Sequence, residues 1–339
     1  MIHADASVFH LHPLQRCNLH CQHCYSDSSP QATALLAPAR ARAAVKAAAG
    51  WGYGTLAISG GEPMLYPGLG DLLSLGNDLG MATTIVTNGL LCRTRQEIDR
   101  VRHARTVTVS VDGLTAQHDA MRARKGACRG AADAVRRMAD AGMAVWVACG
   151  VTALNVEDIE ELAQHAASWG ARGINFHLVE PAGRAATLAP DLFLSPEARA
   201  LLYVTIALLA AARVDSFALH LDLVHRTTVL RNPALLYAFS DAVRPARPAD
   251  AIRVLVMYPH GALLPVCHGF NPRFAAGVFD DCASATMWPR FFEDVFPALT
   301  ALARRALHEL DQAPQHQVVN PGDWLAQRSL RGVLPPQAA

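Results

Sequence analysis

Three thiols fall within eight residues in Cys17-Asn18-Leu19-His20-Cys21-Gln22-His23-Cys24, at CxxxCxxC spacing. Thiolates gathered this closely are ligands for a soft metal centre. A cubane iron–sulfur cluster normally takes four protein ligands. Three thiolates leave one iron open to a substrate or cofactor. Two other chemistries use the same residue types. A structural zinc site would draw nitrogens from His20 and His23, but zinc knuckles pair two CxxC-type halves and no second half follows Cys24 nearby. A disulfide framework belongs to short secreted chains, whereas this chain spreads eight cysteines irregularly over 339 residues.

Further polar groups follow in order, each at the end of an apolar run. Thr55-Leu56-Ala57-Ile58 reads as a buried strand and leads into Ser59-Gly60-Gly61-Glu62-Pro63. Glycines there let a backbone approach a ligand closely, with the Glu62 acceptor beside them. Thr83-Thr84-Ile85-Val86 leads into Thr87-Asn88-Gly89, and Thr106-Val107-Thr108-Val109-Ser110 into Val111-Asp112-Gly113, with His118-Asp119-Ala120-Met121-Arg122 close behind. Any one of these is an ordinary turn; four in this order are not.

Together with the cysteine run they resemble the radical S-adenosylmethionine (SAM) enzymes, whose GGEP, TNG, SxDG and HDxxR stretches follow the second to fourth strands. The resemblance implies that Cys17, Cys21 and Cys24 hold a [4Fe-4S] cluster whose open iron chelates SAM. An electron from the cluster then yields a 5′-deoxyadenosyl radical that takes hydrogen from a substrate. It further implies that His23 lies against SAM, that Gly60, Gly61 and Glu62 bind its amino group, Asn88 its ribose, and Ser110 with Arg122 its carboxylate. Flavodoxin or ferredoxin is the implied electron donor. A zinc-binding or ligand-binding protein without catalysis is the remote alternative; such a protein would be expected to have lost a thiolate or Glu62, and all are present.

The elements that must position these groups alternate. Strands are expected near 7–12, 55–59, 83–87, 106–111, 144–151 and 173–179, with helices over 38–49, 93–104, 129–141 and 155–169. Asn155 and Asp158 are starting signals for the last helix and Gly170 a stop. Alternating strands and helices imply a parallel sheet with right-handed crossovers. Six units match a partial (βα)6 TIM-like barrel, with its active site at the C-terminal ends of the strands. The expected organisation is a barrel core over 1–190, a helical connection over 191–250 and a small α+β twitch-like extension with a helical tail over 251–339.

Strand periodicity puts Thr106, Thr108 and Ser110 on one face of the fourth strand, and Asn175 with His177 on one face of the sixth. His177 is a candidate substrate contact, with a satisfied core histidine as the ordinary reading. Arg184, in Glu180-Pro181-Ala182-Gly183-Arg184, is either a bidentate anion donor or an ordinary salt-bridge partner. This stretch resembles the molybdenum-cofactor and peptide-modifying branches of the family. Farther on, Cys267 and Cys282 bracket Gly277 in a pattern similar to the opening of SPASM and twitch extensions. No cysteine follows Cys282, so a two-cluster domain is excluded on ligand count. A single auxiliary iron–sulfur cluster would need other ligands such as His268; the favoured reading is a hairpin that covers the barrel mouth without metal. Cys149 and Cys267 are candidate hydrogen donors should the reaction be an epimerisation.

Formal charge is +1, from 30 basic and 29 acidic side chains, which gives no electrostatic reason for nucleic-acid or membrane binding. The start of the chain lacks the pattern of a signal peptide. The most apolar run, Ala200 to Ala212, is too short to span a bilayer. Unpaired cysteines suit a reducing, cytoplasmic setting. With the cluster motif beginning at Cys17, no leader-binding domain is expected ahead of it. The expected substrate is therefore a small polar metabolite (a sugar, nucleoside or amino-acid derivative) of natural-product biosynthesis, undergoing epimerisation, dehydrogenation, decarboxylation or rearrangement. The alternative is a maturase acting on a ribosomally made peptide.

Overall fold

The computed structural model describes residues 7–212, 216–236, 245–280 and 284–331. Its strands are β1 (Val8–Leu11), β2 (Thr55–Ile58), β3 (Ala82–Thr87), β4 (Thr106–Ser110), β5 (Val145–Val151), β6 (Gly173–Leu178), β7 (Ala218–Leu221), β8 (Val224–His225), β9 (Val254–Met257), β10 (Ala262–Pro265), β11 (Gly277–Val278) and β12 (Val318–Val319). One sheet of ten strands runs in the order β11-β10-β9-β1-β2-β3-β4-β5-β6-β7. From β9 through β1 to β7 every neighbouring pair is parallel; β10 and β11 are antiparallel additions. β8 and β12 form a separate small pair.

Burial follows the period of two. On β4 the valines at 107 and 109 are fully buried while Thr106, Thr108 and Ser110 are half-buried, and β5 alternates in the same way. The buried face meets the helices. Small residues make that contact close: Ala41, Ala44, Val45 and Ala48 are the buried positions of the helix Pro38–Gly50, and Ala131, Ala134, Val135 and Met138 are among those of Ala127–Asp140. The half-buried face lines the inside of an open barrel. Trp146 and His220 meet edge to face there at 5.2 Å. Gly173 makes room for that indole, since a Cβ at this position would lie 2.6 Å from it.

The architecture is the expected α/β partial barrel with a C-terminal addition, and the detail departs from expectation in three places. The stretch 191–250 is not purely helical: it supplies β7, which pairs with β6 in register Asn175↔His220. Its short polar alternation, Ala-Leu-His-Leu, carries little strand signal. β9 lies beside β1 with Val8↔Val254 and Leu11↔Met257, so the extension continues the barrel sheet instead of only covering the mouth. Finally, the α-helix Pro196–Ala212 is 17 residues, but taken with the separate turn Pro190–Leu192 before it, the stretch Pro190–Ala212 spans 23 residues and contains a window of mean hydropathy 1.5. By length and composition alone that longer stretch passes as a membrane span, whereas the apolar run by itself does not. It buries Leu202 and Ile206, whereas Leu201, Val204 and Leu208 are exposed.

Candidate active site

The cysteine run forms the loop after β1. Two backbone bonds dock it on the end of β2, from Gly61 N–H to Leu14 O at 2.9 Å and from Glu62 N–H to Arg16 O at 3.0 Å. Both glycines are required by this closeness. A Cβ on Gly61 would lie 2.0 Å from Arg16 O, and one on Gly60, whose φ is +113°, would lie 2.6 Å from Leu14 O. The glycines here serve the loop's own backbone.

Arg184 clasps the loop from the other side. Its guanidinium donates to Cys21 O at 2.6 Å and Ser28 O at 2.8 Å and pairs with Asp27 at 2.9 Å, while its backbone N–H donates to Cys24 O at 2.9 Å. Of its two expected roles, the structure gives it the structural one.

Each of the three sulfurs meets a donor. Asn88 Nδ2 lies 3.9 Å from Cys17 Sγ, Arg122 Nη1 3.9 Å from Cys21 Sγ, and Ser28 N 3.3 Å from Cys24 Sγ. Burial pushes the Cys17 thiol up to about 12 and raises that of Cys21, a cost that metal coordination of the thiolates would relieve. Among the described residues no three His, Cys, Asp or Glu side chains gather round one point, as a single zinc ion would require. A cubane distributes its ligands over separate irons. His20 is exposed to solvent.

Asp112, just past β4, is the hub of the site. It is 2% exposed and accepts from Arg122 Nε at 2.6 Å and from Gly150 N–H at 3.0 Å, with His23 Nε2 at 3.3 Å. Burial favours its neutral form, but Arg122 and His23 outweigh burial and hold the carboxyl well below its usual range. Its own N–H donates to His118 Nδ1 at 3.0 Å. His23 Nδ1 is buried without a hydrogen-bond partner, an orphaned polar atom beside the cysteines. Buried Glu62 accepts from Met64 N–H, Thr87 Oγ1 and Asn88 N–H at 3.0, 2.7 and 2.9 Å, and burial raises its pKa. Asn88 also donates to Asn18 Oδ1 at 2.7 Å. Ser110 ends β4 on the inner face, as expected.

Two further walls complete the barrel mouth. At the ends of β6 and β7, His177 Nδ1 bonds Asp222, which outweighs burial and raises the imidazole's pKa. Asp323, reaching in from the helix Pro321–Leu330, is pushed up to about 7 by burial and by the Glu180 and Asp222 carboxylates. At the ends of β1 and β9, His12, Tyr25, Tyr258 and His268 pack ring against ring, with His12 and His268 stacked at 4.8 Å. Ser59 Oγ ties His10 and His12 together at 2.7 and 3.1 Å.

Cys267 adjoins this wall. The preceding Val266 has φ +74°, and Cys267 N–H bonds back to Pro265 O at 3.0 Å. This is a γ-turn of the strained positive-φ kind, unusual for a β-branched residue. Burial, with a contribution from Asp323, raises the Cys267 thiol to about 12. Cys149, on β5, is fully buried on the face that carries Val145, Val147 and Val151. It is thereby removed as a pocket thiol. Cys282, the partner expected for Cys267 in an auxiliary site, lies outside the described residues.

Sequence reasoning missed Asp112, His118, Asp222 and Asp323. Asp112 and His118 stood inside the quoted motifs, and a carboxylate ten residues ahead of Arg122 was the signal to follow. Asp323 had no local signal, since only the fold brings its helix to the mouth.

Residues 11–168 match the family model of the Radical SAM superfamily. The chain is 28% identical over 187 residues to the antilisterial bacteriocin subtilosin biosynthesis protein AlbA of Bacillus subtilis (strain 168), covering 54% of this chain and 40% of that one. It is 29% identical over 172 residues to the AdoMet-dependent heme synthase of Methanosarcina barkeri (strain Fusaro / DSM 804), covering 50% and 49%. Streptococcus suis SuiB bound to precursor peptide SuiA superposes with a TM-score of 0.59 at 16% identity, over 77% of this chain and 59% of that one. The chain thus spans about half or less of the length of these two relatives, and the likeness to SuiB is one of fold. With three thiols on the loop after β1, at the open end of a parallel barrel, residues 11–168 carry a radical SAM domain.

Proposed function

We propose that this chain is a radical SAM enzyme that abstracts hydrogen from a ribosomally made peptide. The observation that carries the reading is the set of three cysteines, each with its own donor, on a loop locked between β2 and Arg184. Cys17, Cys21 and Cys24 would hold a [4Fe-4S] cluster that, with SAM on its open iron, supplies the electron for cleavage of a carbon–sulfur bond of SAM. The chain's own residues then have distinct tasks. Asp112 holds His23 and Arg122 in place. Gly60 and Gly61 seat the loop, and Glu62 fixes the backbone at Asn88, leaving the inner-face Ser110 and the half-buried His23 to meet SAM. The walls with His177–Asp222 and with His12, Tyr258 and His268 would receive the substrate.

A peptide is supported by the relative named for subtilosin biosynthesis and by the fold shared with SuiB, whose structure contains a precursor peptide. This reverses the order expected from sequence, which placed a small polar metabolite first. The smaller substrate keeps one specific support, the heme synthase relative. Flavodoxin or ferredoxin in a reducing cytoplasm is the proposed electron source, and one cluster per chain the proposed content.

The test is anaerobic reconstitution of the wild type beside a Cys17/Cys21/Cys24→Ala variant. The expected result is about four irons per chain with reductant-dependent 5′-deoxyadenosine in the wild type, and neither in the variant. Zinc in place of iron, without SAM cleavage, would refute the reading. Coexpression with short peptides encoded beside the gene should change the mass of one of them; turnover of a small metabolite instead would restore the other substrate class.

A further inference from the structure

The three sulfur donors differ in charge. Asn88 and the Ser28 amide are neutral dipoles, whereas Arg122 brings a full positive charge to Cys21. That side chain is 11% exposed, so water screens its charge little. Two of its three nitrogens are committed to protein: Nε to Asp112 at 2.6 Å and Nη1 to the sulfur at 3.9 Å. Asp112 is fixed in turn by the Gly150 amide, His23 and the Asn155 bond to its carbonyl at 2.7 Å. The arrangement holds a cation rigidly against one thiolate, with its counter-charge bound at Nε while Nη1 faces the sulfur. A residue meant to grip the SAM carboxylate would instead keep its fork free for the ligand.

We propose that Arg122 is a positioning residue that sets the reduction potential of the cluster through the Cys21 sulfur. The inference rests on the radical SAM reading above. Reduction adds one negative charge to the cluster and its thiolates. A desolvated cation beside one sulfur stabilises the reduced form more than the oxidised form and raises the potential. Neutral donors at Cys17 and Cys24 act in the same direction but more weakly. The electron arriving from outside is therefore received most readily beside Cys21.

The test is an EPR-monitored redox titration of reconstituted protein without SAM, comparing wild type, Arg122→Lys and Arg122→Gln, with SAM affinity measured alongside. In Arg122→Gln the reduced-to-oxidised ratio at fixed potential should fall about tenfold, a 59 mV negative shift for a one-electron couple. Arg122→Lys keeps the charge and should stay within about twofold of wild type, and SAM affinity should move about twofold or less in both, far below the tenfold that a lost ion pair would cost. An unmoved midpoint in Arg122→Gln with SAM binding lost would overturn the proposal and make Arg122 a SAM ligand. If Arg122→Gln does not fold, Asp112→Asn probes the same charge from its other end. Its guanidinium is left unbalanced and the midpoint must rise; no rise overturns the proposal. A wild type that assembles no iron cluster would instead overturn the radical SAM reading itself.

Discussion

Among single residues His118 illustrates how a buried imidazole can couple pH to the site. It is 2% exposed, and its Nδ1 accepts the Asp112 N–H, a bond only the unprotonated nitrogen can make. Burial lowers its pKa from 6.5 to about 4. The unfolded chain therefore binds this proton between pH 6.5 and pH 4 while the folded chain does not. The contribution to stability is complete above pH 6.5 and is lost as the pH falls towards 4, at a cost of about 3 kcal/mol at the low end. Urea unfolding across that range should show a shallower pH slope in His118→Gln than in the wild type. Equal slopes would mean that His118 is protonated in the folded chain and the Asp112 bond is made otherwise. That histidine was legible only as part of a motif. Its role as an acceptor comes from the turn at Asp112, which no spacing rule describes.

Among elements the loop between β1 and the first helix (Pro38–Gly50) carries the chemistry, and its seating on β2 depends on close backbone approach. Gly61→Ala places a methyl 2.0 Å from Arg16 O, and backbone cannot yield as a flexible side chain can. Overpacking of this kind costs about 1–3 kcal/mol. The loss should fall on the loop, because the atoms nearest that methyl are the Gln15 and Arg16 backbone of the loop itself. The expected outcome is a folded protein of near-normal circular dichroism that takes up little iron although all three cysteines remain. Full iron incorporation would show that the loop can seat elsewhere. The elements were readable where alternation was clean, as on β4 and β5, where valines and polar residues separate by face. They were less readable where tertiary pairing decides. Asn155, expected to start a helix, spends its side chain on the Asp112 and Gly150 carbonyls instead. The helix expected over 93–104 is confined to Arg95–Asp99, because Arg100 donates to the Met64 and Tyr66 carbonyls at 2.7 and 3.0 Å and the chain turns there into β4. The candidate site was thus legible in its cysteines, its glycines and the order of its turns, but not in the walls contributed by β7, β9 and the Pro321–Leu330 helix.

For the whole molecule the decisive fact is that the C-terminal strands complete the sheet on which the site rests. Sequence suggests a boundary near residue 251, but β9 pairs along the whole of β1, with further bonds from Val8 N–H to Arg253 O at 2.7 Å and from His12 N–H to Met257 O at 2.9 Å. Tyr53, which follows the Pro38–Gly50 helix, reaches across to Ile252 O at 3.0 Å. Leu255, Val256 and Met257 are fully buried. Burial of each such side chain contributes about 1.5–3 kcal/mol, so these three alone approach the 5–15 kcal/mol net stability of an ordinary domain. Removing residues 251–339 would also leave β1 an unpaired edge, and β1 is the strand from which the cysteine loop springs. A chain truncated after residue 250 should therefore be insoluble or take up no iron, even with every cluster ligand intact. An independent extension would leave behind a soluble barrel that still binds iron, and sedimentation with iron analysis distinguishes the two. The argument joins the two ends of the chain. The cysteines lie near the N-terminus, but the strand that carries them is held in the sheet by residues more than two hundred positions later, which no local reading of the motif reveals.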